Sequence, residues 1–172
     1  RTFDSGIEVV VQADPDIWPV NAHPGELRQA LQHLCENARD AMPNGGRLGI
    51  ELRNLTKNDK DFVRLAVSDT GTGIDSETTL RIFEPFFTTK QERKGLGLGL
   101  TVVQAIVTRL GGTIAVESEP GQGSRFVIEI PRRVEAEAVP EPASPPAAVQ
   151  KGNGEVILVV DDEEILRVVA RA

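Results

Sequence analysis

The chain has 172 residues, 40% of them hydrophobic but only 4% aromatic, so its core must be built mainly from aliphatic side chains. A net charge of −7 argues against a nucleic-acid partner held through phosphates, and the single cysteine, Cys35, excludes an intrachain disulfide. No apolar run approaches the roughly 18 residues of a membrane helix, and no signal peptide is visible. We expect a cytoplasmic chain. Because it begins at Arg1, we interpret it as a piece of a longer protein whose membrane anchor would lie outside it.

Hydrophobic spacing predicts the first elements. β-branched residues indicate a strand at 7–13, and apolar residues spaced by three and four predict a helix at 25–42, ended by the Pro-Asn-Gly-Gly turn. Two strands, 47–55 and 62–68, follow around a polar turn. The helical residues expected to face the core are Leu27, Ala30, Leu31, Leu34, Ala38 and Ala41.

The later elements are a second helix and a hairpin. The helix is expected over 98–110 and ends at a Gly-Gly pair, and the hairpin joins 113–119 to 124–130. The residues of this helix expected to point inward are Leu98, Val102, Ala105, Ile106 and Leu110.

The composition changes after residue 133. Residues 134–153 are rich in Pro, Ala and Glu and have no periodicity, which predicts a semi-rigid linker. Residues 154–172 then indicate a buried strand, an acidic turn and the start of a helix. We therefore divide the chain into a domain at 1–133, a linker at 134–153 and a domain fragment at 154–172.

The first candidate site residues lie on the 25–42 helix. At 100° per residue, Asn37 lies at the edge of the apolar stripe, with His33 one turn before it and Asp40 nearly beneath it, whereas Glu36 is expected on the opposite, solvated side. An amide oxygen here suits a magnesium ion that is otherwise held by phosphates and water. The alternative is a polar residue that merely flanks an amphipathic helix.

The second candidate is the end of the 62–68 strand. Asp69 is followed by Gly71 and Gly73, which allow a tight turn and close backbone approach. A carboxylate beside an apolar pocket accepts a hydrogen bond from the amine of adenine, whereas guanine presents an oxygen there and would be repelled. The alternative is a simple Asp-Thr-Gly turn.

The third candidate is the glycine-alternating run at 95–100, which leads into the second helix. Its backbone N–H groups and the helix dipole predict a phosphate cradle, with Lys90, Arg93 and Lys94 nearby. The alternative for the lysines is a solvated surface loop. The spacing fits neither GxxxxGK[ST] nor GxGxxG.

In this order the segments resemble the motifs of the catalytic domain of sensor histidine kinases, within the gyrase–chaperone–kinase superfamily. The resemblance covers about residues 5–131 and is carried by HLCENARDAMPNGG, DTGTGI, FEPFFTTK and GLGLGLTVV. It implies an α/β (α+β) two-layer sandwich, with helices on one face of a mixed sheet. It also implies ATP and Mg²⁺ as ligands.

The resemblance assigns a role to each motif. Asn37 would coordinate Mg²⁺, Asp69 would bind the adenine amine, Ser124 would lie near the base, and residues 88–95 would form a lid. The nucleotide-binding residues it implies are Asn37, Asp40, Asp69, Gly71, Gly73, Ile74, Thr88, Lys90, Lys94, Gly95, Leu96, Gly97, Leu98, Gly99 and Ser124.

Two histidines depart from the family pattern. His33 stands where the family usually has an asparagine and where hydrolysing relatives have a glutamate that activates water. Because this glutamate is absent, the resemblance favours a kinase over an ATPase. Whether His33 touches a phosphate or only packs is left open, with packing favoured. His23 replaces a common aspartate, and we interpret it as a harmless surface change.

No histidine here fits the phosphoacceptor, which is therefore expected upstream of Arg1 on a dimerisation domain of a homodimeric parent. The segment ILVVDDEE resembles the first strand of a receiver domain, in which Asp161 and Asp162 would help hold Mg²⁺. An acidic helix start is the alternative. The expected function is to position Mg-ATP for transfer of its γ-phosphoryl group to a histidine. A receiver domain or response regulator is expected as a further partner. The alternative is a module that senses the nucleotide without transferring phosphate.

Overall fold

The computed structural model describes residues 6–89 and 96–133. The linker predicted at 134–153 and the fragment predicted at 154–172 lie outside these residues. The described elements are β1 (Ile7–Ala13), α1 (Pro24–Ala41), β2 (Gly46–Lys57), β3 (Lys60–Asp69), α2 (Ser76–Thr79), α3 (Gly99–Arg109), β4 (Thr113–Glu119) and β5 (Gly123–Pro131).

The five strands form one mixed sheet in the order β1-β2-β3-β5-β4. β1 runs parallel to β2, and the other neighbours are antiparallel. Side chains of α1 and α3 share one core cluster with the inner face of the sheet, where Leu48, Val67 and Ile128 are fully buried. The outer face carries ion pairs such as Arg64–Glu129. The predicted two-layer α/β sandwich is confirmed.

The turn between β2 and β3 is shorter than predicted. Only Asn58 and Asp59 lie outside the strands, with φ of 51° and 57°, and Lys57 pairs with Lys60. Asn and Asp tolerate the left-handed conformation, which a two-residue hairpin turn requires. The polar residues assigned to the turn therefore continue the strands.

The core is predicted well for α1 and less well for α3. Ala30, Leu34 and Ala38 are buried as expected, with Leu27 and Leu31 packed beside them. In α3 the buried residues are Val103, Ile106 and Val107, whereas Ala105, expected to point inward, is exposed. Because apolar residues occur on nearly every side of α3, its sequence periodicity does not define a single buried stripe.

The short helix α2 was not predicted. It has four residues and begins after Asp75, whose Oδ1 accepts a hydrogen bond from the Thr78 N–H at 2.9 Å. One turn carries too few residues to show an apolar period, so only its cap could have indicated it. Among the described residues, no helix combines the length and hydropathy needed to cross a bilayer.

Candidate functional site

A cavity of about 730 Å³ lies between α1, the turn after β3 and the start of α3. It brings together most of the residues that the sequence singled out. Those lining it are His33, Asn37, Asp40, Asp69, Gly73, Ile74, Thr88, Leu96, Gly97, Leu98, Gly99 and Ser124. Lys90, Arg93, Lys94 and Gly95, together with Asp161 and Asp162, lie outside the described residues, so their predicted roles stay predictions.

Asp69 ends β3 at the wall of this cavity and is only 8% exposed. Its Oδ1 accepts a hydrogen bond from the Gly71 N–H at 2.8 Å, and the backbone of Ser124 donates to it as well. Burial raises the pKa of the Asp69 carboxyl above its ordinary range, because desolvation outweighs these two hydrogen bonds. The side chain therefore offers a fixed, poorly solvated acceptor.

The glycines after Asp69 allow close packing. A Cβ on Gly71 would lie 2.5 Å from the Ala41 carbonyl oxygen, and the Thr72 N–H donates to the same oxygen at 3.0 Å. A Cβ on Gly73 would overlap the Glu119 carbonyl oxygen, and Gly73 has a φ of +67°. Gly71 thus packs against the end of α1, and Gly73 lines the cavity.

On α1, the face that carries Asn37 lines the cavity, whereas Glu36 does not lie on the opposite, solvated side where it was expected. Glu36 also lines the cavity; its Oε1 accepts from Gln32 Nε2 at 2.9 Å, and its Oε2 lies 3.6 Å from His33 Nδ1. A helical wheel gives the direction of Cβ and not the reach of a long side chain, which explains the error. Arg39, not singled out before, lines the cavity and pairs with Asp40 at 3.1 Å.

The two histidines have different surroundings. His33 lines the cavity and lies next to the start of α3, because a Cβ on Gly99 would be 3.4 Å from its Nδ1. His23 is the N-cap of α1, and its Nδ1 accepts a hydrogen bond from the Gly25 N–H at 3.2 Å. His23 is exposed, and it caps the helix through the kind of hydrogen bond that the aspartate common at this position would also accept.

At the other side of the cavity, α3 begins after Leu98, whose own apolar side chain makes no capping hydrogen bond. The first N–H groups of a helix have no intrahelical partner and, with the helix dipole, favour an anion. Gly97 is held beside Phe86, whose N–H donates to the Gly97 carbonyl oxygen at 3.1 Å. The cavity thus combines a buried carboxylate with an anion-attracting helix start.

A buried carboxylate and a helix start that favours anions, lining one cavity, are compatible with an ATP-binding domain. The family model described as "Histidine kinase-, DNA gyrase B-, and HSP90-like ATPase" matches residues 22–134. The chain belongs to this family. The resemblance stated from the sequence is confirmed for the catalytic domain.

Named relatives point to the same domain. Sensor kinase CckA of Brucella abortus (strain 2308) is 38% identical over 186 residues, covering 97% of this chain and 20% of that protein. Among solved structures, a mycobacterial sensor histidine kinase MprB has a TM-score of 0.64 and 30% identity over 75% of this chain and 84% of its own. Full-length ShkA in complex with AMPPNP has a TM-score of 0.64 and 31% identity, over 75% of this chain and 26% of its own. The chain thus spans about a fifth of the length of CckA.

Proposed function

We propose that this chain is the catalytic part of a two-component sensor histidine kinase, which positions Mg-ATP for transfer of the γ-phosphoryl group to a histidine on a dimerisation domain. One observation carries the proposal: Asp69 and the start of α3 line the same cavity. Along α1, the Ala41 carbonyl oxygen accepts a hydrogen bond from the turn after Asp69, and His33 lies beside Gly99. These two residues are separated by eight positions, or about 12 Å of helix, which leaves room for a base at one end and phosphates at the other.

For the base, the proposal rests on the chemistry of Asp69. An ionised carboxylate only accepts hydrogen bonds, so it pairs with the exocyclic amine of adenine and opposes the oxygen that guanine presents there. Ile74 supplies apolar surface beside it, since it is partly buried against the core and lines the cavity. ShkA, which is 31% identical to this chain, was solved in complex with AMPPNP, and this supports a nucleotide as the ligand of this domain.

For the metal, the donor set fits Mg²⁺ bound together with the nucleotide. Asn37 lines the cavity, and the described residues contain no group of three or more His, Cys, Asp or Glu side chains able to hold a metal ion alone. Mg²⁺ commonly takes few protein ligands and keeps phosphate and water oxygens. When bound, it would neutralise phosphate charge, and Asn37 would orient it through its amide oxygen.

The remaining chemistry is positioning, which dominates phosphoryl transfer. The helix start at Gly99 would bind phosphate oxygens through backbone N–H groups, and Lys90 and Lys94 are candidate cations for the phosphates. His33 supplies no carboxylate base at the position where hydrolysing relatives have one, which favours transfer over hydrolysis. Glu36 is a carboxylate in the cavity, held by Gln32 and His33, so hydrolysis must be measured directly.

The proposal extends to the whole parent protein. We infer a catalytic domain at 1–133, a linker at 134–153, and a receiver fragment at 154–172 in which Asp161 and Asp162 form part of a magnesium site. The match to CckA, which extends over 97% of this chain, supports a tail shared with that kinase. The partners would be a dimerisation domain of the same homodimeric protein and a receiver domain or response regulator.

The test is phosphorylation in trans. The chain should bind Mg-ATP without labelling itself from γ-labelled ATP, and should slowly phosphorylate the parent's separate dimerisation domain, because no tether raises the effective concentration. The product should be alkali-stable and acid-labile, as a phosphoramidate is. Asn37→Ala should abolish transfer, whereas Asn44→Ala, an exposed residue outside the cavity, should leave it unchanged.

Three outcomes would replace this proposal. Strong self-labelling on His23 or His33 would contradict the need for an external acceptor. Rapid ATP hydrolysis that disappears in Glu36→Gln would indicate an ATPase. Tight Mg-ATP binding without transfer to the parent's dimerisation domain would favour the nucleotide-sensing module.

A further inference from the structure

Ser118, on β4, contacts three residues through one hydroxyl group, two of which line the cavity. Its Oγ accepts a hydrogen bond from the Ile74 N–H at 2.8 Å. The same oxygen lies 2.9 Å from the Gly123 carbonyl oxygen and 3.0 Å from Ser124 Oγ. Ile74 and Ser124 line the cavity. Ser118 belongs to none of the sequence motifs, yet it connects the turn after β3 with the start of β5.

The donors and acceptors around Ser118 fix the direction of each hydrogen bond. A serine hydroxyl has one proton and two lone pairs. The Gly123 carbonyl oxygen can only accept, so it receives the Ser118 proton, and the Ile74 N–H occupies one lone pair. The contact between the two hydroxyls then requires the proton of Ser124. Ser124 therefore donates to Ser118 and has only lone pairs left for the cavity.

This direction matters because Ser124 lies beside Asp69. The two residues are paired across β3 and β5, both line the cavity, and Ser124 is 6% exposed. The ionised carboxylate of Asp69 also only accepts hydrogen bonds. This end of the cavity thus presents acceptors from two neighbouring side chains, which suit an amino group, because its two N–H bonds can each meet an acceptor, whereas a 6-oxo purine offers one N–H at N1 and an oxygen beside it.

We propose that Ser118 is a positioning residue for base selection, which keeps Ser124 as an acceptor so that the site selects purines with a 6-amino group over those with a 6-oxo group. The inference rests on the proposed function, because it takes a nucleotide base to occupy this end of the cavity. An amine at position 6 donates to the acceptors, whereas an oxygen there faces lone pairs. Without the Ser118 hydroxyl, Ser124 is free to rotate and donate its proton to a 6-oxo group.

The experiment compares Ser118→Thr with Ser118→Val, which have similar shapes but differ in the hydroxyl. Calorimetry would give the Kd of each protein for Mg-ATP and for Mg-inosine triphosphate, whose base carries a 6-oxo group. Wild type and Ser118→Thr should keep the same preference for ATP. Ser118→Val should reduce that preference about tenfold, mainly through tighter binding of inosine triphosphate, which corresponds to one added hydrogen bond.

A second pair of variants tests whether Ser118 acts through the hydroxyl group of Ser124. In Ser124→Ala, replacing Ser118 with valine should leave the ratio of the two Kd values unchanged, because no hydroxyl remains to reorient. If Ser118→Val still lowered the ratio in the Ser124→Ala protein, Ser118 would not act through Ser124, and the inference would be overturned. If Ser118→Val does not fold, Ser118→Ala gives the same comparison with less bulk.

The outcomes separate this inference from the proposed function. If Ser118 were purely structural, its replacement would weaken binding of both nucleotides equally. An unchanged ratio of the two Kd values in Ser118→Val or Ser118→Ala, together with weaker ATP binding in Asp69→Asn, would overturn this inference and leave the proposed function intact. Failure of the wild-type chain to bind ATP, or binding that ignores Asp69, would instead overturn the proposed function and this inference with it.

Discussion

The carboxylate of Asp69 and the backbone N–H of Gly71 are joined by a hydrogen bond of 2.8 Å, which ties the end of β3 to the turn that follows it. The bond fixes the orientation of the carboxylate in the cavity wall. A side chain held in this way can discriminate between bases, because it cannot rotate to suit a different hydrogen-bonding edge.

The first prediction concerns replacement of this carboxylate. Asp69→Asn keeps the shape but presents a mixed donor and acceptor edge, so the free energy of ATP binding should weaken by about 1–3 kcal/mol, the range of one buried, charge-assisted hydrogen bond. Calorimetry measures it. Asp59→Asn, an exposed change in the β2–β3 turn, is the matched control and should bind ATP like wild type. Unchanged ATP binding in Asp69→Asn would contradict the assignment.

The second prediction is a pH dependence from the same residue. Burial raises the pKa of Asp69 in the folded state above its unfolded value of about 3.9. Such a group contributes stability below the unfolded pKa and loses this contribution as the pH rises through the folded pKa. The free energy of unfolding of wild type should therefore fall relative to Asp69→Asn as the pH rises above about 4. Urea denaturation of both proteins across this range checks it; a constant difference would contradict it.

Much of the fold followed from the sequence because the signals were local. The helix α1 shows a clear apolar stripe, and its predicted buried residues Ala30, Leu34 and Ala38 are buried. The carboxylate of Asp69 was found because a strand pattern ends there and glycines follow. In both cases residues close in sequence determine the local conformation, so the sequence pattern is enough to predict it.

What the sequence could not show depends on tertiary contacts. Ala105 was placed in the core because α3 is apolar on most sides, and only packing against α1 and the sheet selects Val103 and Val107 instead. Ser118 contacts Ile74, 44 positions earlier, and no local pattern marks that pairing. Glu36 reaches the cavity through its long side chain, which a wheel of Cβ directions does not represent.

The third prediction concerns the N-terminus of α1. His23 caps this helix through Nδ1, and an aspartate there would accept the same kind of hydrogen bond and add favourable charge at the helix start. His23→Asp should raise the free energy of unfolding by about 0.5–1 kcal/mol, and His23→Ala should lower it by a similar amount. Chemical denaturation at neutral pH ranks the three proteins. Neither change should alter ATP affinity, because His23 does not line the cavity. The reverse order of stability would contradict the role of His23 as the N-cap of α1.

The last prediction separates two reasons for a glycine near the cavity. Gly73 and Gly121 both have positive φ, +67° and +78°, but a Cβ on Gly73 would overlap the Glu119 carbonyl oxygen, whereas a Cβ on Gly121 would meet nothing within 4 Å. Gly121→Ala should therefore cost only backbone strain, about 1–2 kcal/mol of unfolding free energy. Gly73→Ala should lower the unfolding free energy by about 1–3 kcal/mol more than Gly121→Ala does, because the turn after β3 must move away from β4.

Denaturation of both variants gives the two stabilities, and ATP titration shows whether the site moves with the turn. Since Gly73 lines the cavity, Gly73→Ala should also weaken ATP binding, while Gly121→Ala should not. Equal stability losses in the two variants would mean that backbone conformation alone requires Gly73. A Gly73→Ala protein that is destabilised but binds ATP normally would mean that the turn is not part of the nucleotide site.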